Sequence, residues 1–131
     1  MKRKFYEKEV WDPVFRAHFH ILFGSNEDFN QWNKKHNLSA ADSNMDAYCG
    51  WYEKQEGHGL VRNYLIYFEA YGFTTIVHET NHLAMRILMD RGLEANNATM
   101  EAYAYYQAWL AGQCRDALDK WVNMNSKRSK K

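Results

Sequence analysis

The sequence has few cysteines, little charge imbalance and no long apolar run, and each of these features excludes a class of protein. Cys49 and Cys114 are the only cysteines and form no C-x-x-C motif, which excludes a disulfide scaffold and favours a reducing, cytoplasmic compartment. Residues 1–11 are basic but lack the apolar stretch of a signal peptide. No apolar stretch approaches the roughly 20 residues of a membrane-spanning helix, so we expect no membrane partner.

Charge is close to balanced, with 17 basic and 16 acidic residues and a formal net charge of +1. No overall field therefore favours nucleic acid, which is an unlikely partner on this ground. The exception is the end of the chain, where residues 126–131 read Ser-Lys-Arg-Ser-Lys-Lys. A short polar and basic end of this kind is typical of a solvated tail, so we expect residues 126–131 to be disordered.

What the sequence does have is enough apolar material for one core. The chain has 131 residues, 46% of them hydrophobic, with 9 Tyr, 7 Phe and 5 Trp. Large aromatic side chains bury much area each, so this excess indicates a dense core. We predict a single domain over residues 1–125.

The order of elements is predicted to be β-α-β-β-α-α. Alternating apolar residues indicate strands within 14–23, 47–53 and 60–69. Ser25 is placed to cap a short helix that reaches about Asn37, the polar residues 39–44 indicate a loop, and glycines on both sides of His58 indicate a hairpin turn. Helical periodicity begins at Thr74 or Thr75 and stops at Gly92.

A last helix is predicted from the capping-rich residues 96–99 to about Met124. Strands followed by long helices imply an α+β fold. We expect a small antiparallel sheet of about three strands with both long helices packed on one face.

The first long helix carries the sequence His78-Glu79-Thr80-Asn81-His82. Histidines at i and i+4 project from one face of a helix, a single turn apart, so both imidazoles can reach one metal ion. Glu79 lies about 100° around the helix from His78, where it can address water on the metal. This spacing predicts a zinc site, with Zn²⁺ as cofactor and Glu79 as general base.

A third ligand has to come from elsewhere in the chain. Asp90 is two turns along the same helix and too far from His82, and Glu94 would need a sharp reversal after Gly92. Glu101 opens the next helix, which can return antiparallel to the first. We therefore favour Glu101 as the third ligand, with Glu94 as the alternative.

These residues resemble those of the gluzincin zinc peptidases, in which an HExxH helix supplies two ligands and a glutamate on the following helix the third. The 18 residues between His82 and Glu101 are similar in number to the spacing in the aminopeptidase branch. The block from Ile76 to His82, followed by residues 101–106, also resembles small metallopeptidase-like proteins encoded by bacteriophages. Thermolysin-type members have an acidic residue four positions after the glutamate ligand, where this chain has Tyr105.

The resemblance implies a zinc-dependent hydrolase that acts on a peptide or protein, bound by strand addition beside the metal helix. A second electrophile is needed for the negative charge that develops on the carbonyl oxygen, and Tyr105 and His58 are the candidates. The alternative is a non-catalytic zincin-like protein of a phage or virion. The sequence leaves the oligomeric state open.

Overall fold

The computed structural model describes residues 3–39 and 45–129, with side chains through Ser126. Four strands and three helices follow one another along this part of the chain. In chain order they are β1 (Tyr6–Asp12), β2 (Ala17–Phe23), α1 (Asn26–Lys35), β3 (Ala47–Glu56), β4 (Gly59–Phe68), α2 (Phe73–Asp90) and α3 (Met100–Ser129). The predicted α+β class is confirmed, and every helix and strand predicted from the sequence is found.

The sheet differs from the predicted one in strand number and direction. It has four strands in the order β1-β2-β4-β3. The β1–β2 and β3–β4 pairs are antiparallel, whereas β2 and β4 run parallel in the middle of the sheet. The prediction of an antiparallel sheet of three strands was therefore wrong in both details, because β1 was missed and the chain crosses from β2 through α1 and β3 before β4 pairs with β2.

The two faces of the sheet are covered by different helices. Inward-facing residues of β2 and β4 such as Phe19, Ile21 and Ile66 form the larger core with Leu83 of α2 and Leu110 of α3. Both long helices thus pack on one face, as predicted. On the opposite face α1 covers a smaller apolar cluster, whose buried members are Leu22, Phe29, Trp32, Leu65 and Tyr67.

Local signals in the sequence set the helix ends and the hairpin turn. The Ser25 hydroxyl accepts a hydrogen bond from the Asp28 backbone N–H at 3.1 Å, which caps α1. Gly57, with φ of +57°, begins the turn between β3 and β4. Gly92, with φ of +84°, follows α2, and its N–H donates to the Met89 carbonyl. Glycine adopts such positive φ angles without steric cost, so it ends the helix here.

Two predicted segments fall at the limits of the described residues. Of the predicted loop at 39–44, residues 40–44 lie outside them. Helix α3 continues through Ser129 into the predicted tail, and residues 130–131 lie outside the described range. Within the described ranges, no helix combines the length and apolar character that crossing a bilayer requires.

Candidate metal centre

Helix α2 presents the two motif histidines on its solvent side. Its buried stripe includes Ile76, Thr80, Leu83 and Ile87. His78 lies two residues before Thr80, and at about 100° per residue it points away from the core. Its side chain is accordingly 68% exposed. The histidines are therefore held by a well-packed helix but remain accessible to an ion from solvent.

The ring nitrogens of the two histidines converge. His78 Nε2 and His82 Nε2 are 3.1 Å apart, as expected for side chains one turn apart on one face. Two nitrogen ligands of a tetrahedral zinc ion, each bonded at 2.0–2.1 Å, are separated by about 3.3 Å. The spacing of the pair therefore fits a shared zinc ion with only a small adjustment of the side chains.

Glu79 is oriented differently from the two histidines. Its carboxylate Oε1 lies 3.9 Å from His78 Nε2, and its side chain is only 12% exposed. It lines a cavity of about 600 Å³ between α2 and β3, together with His82, Arg86 and residues 47–51. Glu79 can thus reach a reactant in the cavity while remaining next to the histidine pair.

Cys49 lies in the same cavity as Glu79. Burial, and to a lesser extent the negative charge of Glu79, raises the pKa of the Cys49 thiol to about 12. The thiol is therefore protonated at neutral pH, and a protonated thiol is a poor nucleophile and a poor metal ligand. The His82 imidazole and the Glu79 carboxylate are the other groups lining this cavity that can bind a metal ion or exchange a proton.

Strand β3 forms one wall of the cavity and lies at an edge of the sheet, since among the described residues it pairs with β4 alone. An edge strand has backbone N–H and C=O groups that can pair with another extended chain. Tyr48 and Trp51 of this strand are partly exposed beside the cavity. The groove therefore combines a strand edge with the carboxylate of Glu79.

The other predicted site residues are not brought to the histidine pair. Among the described residues, neither Glu101 nor Glu94 joins His78 and His82 in a group of three ligand atoms within 4.8 Å of one another. Tyr105 is 73% exposed on α3 and does not line the cavity. His58 occupies the hairpin turn, seven residues beyond Trp51 and so about 20 Å along the strand.

No family model, curated protein or solved structure matches this chain.

A second cluster of potential ligands lies on the opposite face of the sheet. Ligand atoms of Glu9, His18 and His20 all lie within 4.8 Å of one another. His20 Nδ1 also donates a hydrogen bond to Glu7 Oε2 at 2.7 Å, and this bond is the main reason why the pKa of Glu7 lies below its ordinary value. The Tyr52 hydroxyl is 2.9 Å from the other nitrogen of His20.

This second cluster was not predicted, although the sequence contains a signal for it. Histidines at 18 and 20 alternate with apolar residues in a predicted strand, and residues at i and i+2 of a strand share a face. Glu7 and Glu9 show the same spacing. Because β1 was not predicted, nothing placed these glutamates beside the two histidines.

Proposed function

We propose that this chain is a zinc-dependent hydrolase, and that its substrate is a peptide or protein. The observation that carries the proposal is the 3.1 Å separation of His78 Nε2 and His82 Nε2 on the exposed side of α2. Glu79 follows His78 directly and lines the adjacent cavity. Two imidazoles for a metal and one carboxylate for a proton are the groups that metal-assisted hydrolysis requires.

Zinc bound in such a site supplies a water of lowered pKa and polarises the carbonyl that is attacked. The residues of the chain have the remaining tasks. His78 and His82 hold the ion. Glu79 accepts a proton from the attacking water at its carboxylate and transfers it to the leaving amine. The low exposure of the Glu79 side chain favours this exchange, because competing bulk water is partly excluded.

The proposed substrate binds along the edge of β3. An extended peptide that pairs with the free edge of this strand would pass through the cavity lined by Glu79 and His82. Backbone pairing gives affinity with little sequence preference, while Trp51, partly exposed and on the same side of β3 as Cys49, is placed to contact a side chain of the peptide. A peptide is therefore favoured over a small-molecule ester or amide.

Arg86 is the residue best placed to stabilise negative charge on the substrate carbonyl oxygen. It lines the same cavity as Glu79 and His82, one turn after His82, whereas Tyr105 and His58 lie elsewhere. A guanidinium near the developing oxyanion lowers the barrier more than it strengthens substrate binding. Replacement of Arg86 by Gln should therefore reduce kcat more than it raises KM.

The third zinc ligand in this proposal is Glu101, with Glu94 as the alternative. Tyr103 Oη donates to the Leu93 carbonyl at 2.5 Å, so the first turn of α3 is held beside the loop that follows α2. Either carboxylate has to move toward the histidine pair when the ion binds.

Because of the resemblance to phage-encoded metallopeptidase-like proteins, we propose that the protein acts in the cytoplasm of a host cell. Cys49 and Cys114 are both free thiols, and a reducing cytoplasm would maintain them.

The test is zinc content and peptide cleavage measured on the same preparations. We expect the wild-type chain to bind zinc and to cleave a mixed fluorogenic peptide library. Glu79→Gln should abolish cleavage but retain zinc, while His78→Ala should lose both cleavage and the zinc ion held by this histidine pair. Asn81→Ala, an exposed position on the same helix, is the matched control and should change neither. Comparison of Glu101→Ala with Glu94→Ala identifies the third ligand.

Two results would contradict the proposal in different ways. Cleavage that persists in Glu79→Gln would remove this carboxylate from the reaction. Zinc bound at His78 and His82 without any cleavage of the library would favour the non-catalytic alternative, a zincin-like binding protein that retains its ion for stability.

A further inference from the structure

The strand pair β1–β2 places two histidines and two glutamates on the sheet face that α1 covers. His18 and His20 share this face, and Glu9 lies opposite His20 in the antiparallel register. Glu9 Oε2 is 3.7 Å from His18 Nε2, and Glu9 Oε1 is 3.8 Å from His20 Nδ1. Two ligand atoms on one transition-metal ion, each bonded at about 2.1 Å, are at most about 4.2 Å apart. Both measured separations are within that limit.

The hydrogen bond of His18 determines which of its nitrogens faces Glu9. His18 Nδ1 is 2.6 Å from the side-chain oxygen of the buried Asn63. A carbonyl oxygen only accepts, so Nδ1 carries a proton, and Nε2 is the ring nitrogen that is left to bind a metal ion. Nε2 faces the Glu9 carboxylate at 3.7 Å, within ion-pair range but beyond hydrogen-bond distance. The hydrogen bond to Asn63 thus fixes the ring with its free nitrogen toward Glu9, at a separation that two ligands of one ion can have.

His20 is held even more firmly. Its side chain is only 3% exposed, and its two nitrogens contact Glu7 and Tyr52. For Nδ1 to ligate a metal, its proton would have to move to Nε2, which would then donate a hydrogen bond to Tyr52 Oη. An imidazole whose second nitrogen donates to a fixed oxygen is the usual arrangement of a metal ligand. Glu7, released from this proton, becomes available as a fourth ligand.

The charge of the cluster also suits a divalent cation. Glu7 and Glu9 are two carboxylates beside two imidazoles. A cavity of about 540 Å³ adjoins them. It is lined by Glu9, His18, His20 and Tyr52, and elsewhere by Lys35 and Lys54. An ion therefore has a path from solvent to the cluster.

We propose that Glu9, His18 and His20 form a second metal site, with Glu7 as a further ligand, which takes a divalent transition-metal ion such as Zn²⁺. Two nitrogens and two carboxylate oxygens are ligands that Zn²⁺ accepts. This site is on the opposite face of the sheet from His78 and His82, and it does not depend on the proposed hydrolase.

The test isolates the second site from the first. Zinc binding is measured by equilibrium dialysis and elemental analysis on the full chain with His78→Ala and His82→Ala together. We expect one zinc per chain to remain. The further substitutions Glu9→Gln and His18→Gln should each weaken its affinity more than about tenfold, since each removes a ligand. Glu56→Gln replaces an exposed glutamate that does not line this cavity and should have no effect.

Circular dichroism of each variant separates loss of a ligand from loss of the fold, and Co²⁺ absorption reports nitrogen and oxygen coordination in place of zinc. The inference is overturned where the double histidine variant binds no zinc, or where its bound zinc is insensitive to both Glu9→Gln and His18→Gln. The two proposals fail separately. If zinc is lost only when His78 and His82 are replaced, the hydrolase proposal stands and the second site does not. If zinc is lost only when Glu9 and His18 are replaced, the second site stands and the hydrolase proposal does not.

Discussion

The attachment of α2 to the sheet depends on a buried tyrosine whose ionisation can be measured. Tyr64 of β4 is fully buried, and its hydroxyl donates to Asp90 Oδ2 at 2.7 Å. Asp90 is the last residue of α2, and it also accepts from Arg62 Nη1 at 3.0 Å. These bonds hold the helix that carries His78, Glu79 and His82. Tyr64→Phe removes one of them and leaves the packing of the ring intact.

The size of the effect follows from the hydrogen bond and from the pKa. A hydrogen bond to a charged group contributes about 1.5–3 kcal/mol, so Tyr64→Phe should lower the free energy of unfolding by that amount at neutral pH. Burial, and next the Asp90 carboxylate, raises the pKa of Tyr64 from 10.0 to about 12. At about 1.4 kcal/mol per tenfold change in the equilibrium, this shift corresponds to roughly 3 kcal/mol of stability that is lost once the hydroxyl is ionised in both the folded and the unfolded chain.

The sign of the pH dependence is fixed by the raised pKa. The stability that Tyr64 contributes is complete below the unfolded pKa of 10.0 and is lost as pH rises toward about 12. The difference in unfolding free energy between wild type and Tyr64→Phe should therefore narrow by about 1 kcal/mol between about pH 8 and about pH 11. Tyr67 and Tyr106 also have raised pKa values. Both residues are present in wild type and in Tyr64→Phe, so their contributions cancel when the two unfolding free energies are subtracted.

Urea denaturation followed by circular dichroism, repeated at several pH values, measures this gap. Tyr105→Phe is the matched control, since Tyr105 is largely exposed, and it should change stability by less than about 0.5 kcal/mol at any pH. A gap between wild type and Tyr64→Phe that stays constant up to about pH 11 would refute the reasoning, because the hydroxyl would then have the same pKa in the folded and unfolded chains.

Three further predictions concern α1 and the face of the sheet that it covers. Ser25→Ala removes the bond to the Asp28 N–H and should cost about 1 kcal/mol in urea denaturation, while Ser25→Asp should restore most of it. Phe29→Ala removes a buried ring stacked on Tyr67 at a centroid distance of 4.0 Å, and we expect a loss of about 3–5 kcal/mol; a loss below about 1 kcal/mol would mean that α1 contributes little to the fold. The pKa of Glu7 is lowered chiefly by its bond to His20, so the stability it contributes is present above the unfolded pKa and is lost as pH falls through the lower folded value. Glu7→Gln should therefore be less stable than wild type at neutral pH, with a difference that shrinks in acid, and an unchanged difference would contradict this assignment.

The parts of the fold that sequence could predict are those with strong local signals. Helix α2 has a regular apolar stripe and ends at a glycine that adopts a positive φ, so its position was predicted to within about two residues. The hairpin was predicted because Gly57 and Gly59 bracket a single residue between two apolar segments. Both signals depend on residues that are close together in the chain.

Features that depend on distant residues were missed. Strand β1 is an edge strand in which Glu7, Lys8 and Glu9 are consecutive. It has few apolar residues, so the alternation of apolar and polar residues that indicates a strand is not apparent. The parallel pairing of β2 with β4 joins segments separated by α1 and β3, and no local pattern encodes it. The same is true of the third zinc ligand, because its position depends on how α3 returns beside α2.

The arrangement of the sheet explains how one small domain can present ligands on two faces. Strand β2 lies inside the sheet and alternates apolar residues toward the long helices with His18 and His20 toward α1. Its apolar side packs against α3, where the rings of Phe19 and Trp109 have centroids 6.1 Å apart, and α3 packs in turn against α2, the helix that holds His78 and His82 outward. Substitution of β2 core residues such as Phe19 should therefore disturb both groups of ligands, whereas a change in the ligands of one group should leave the other intact. Zinc titration of His18→Gln, His82→Ala and Phe19→Ala separates these two cases. If either histidine substitution changed the zinc affinity of the other group of ligands, the two groups would not be independent.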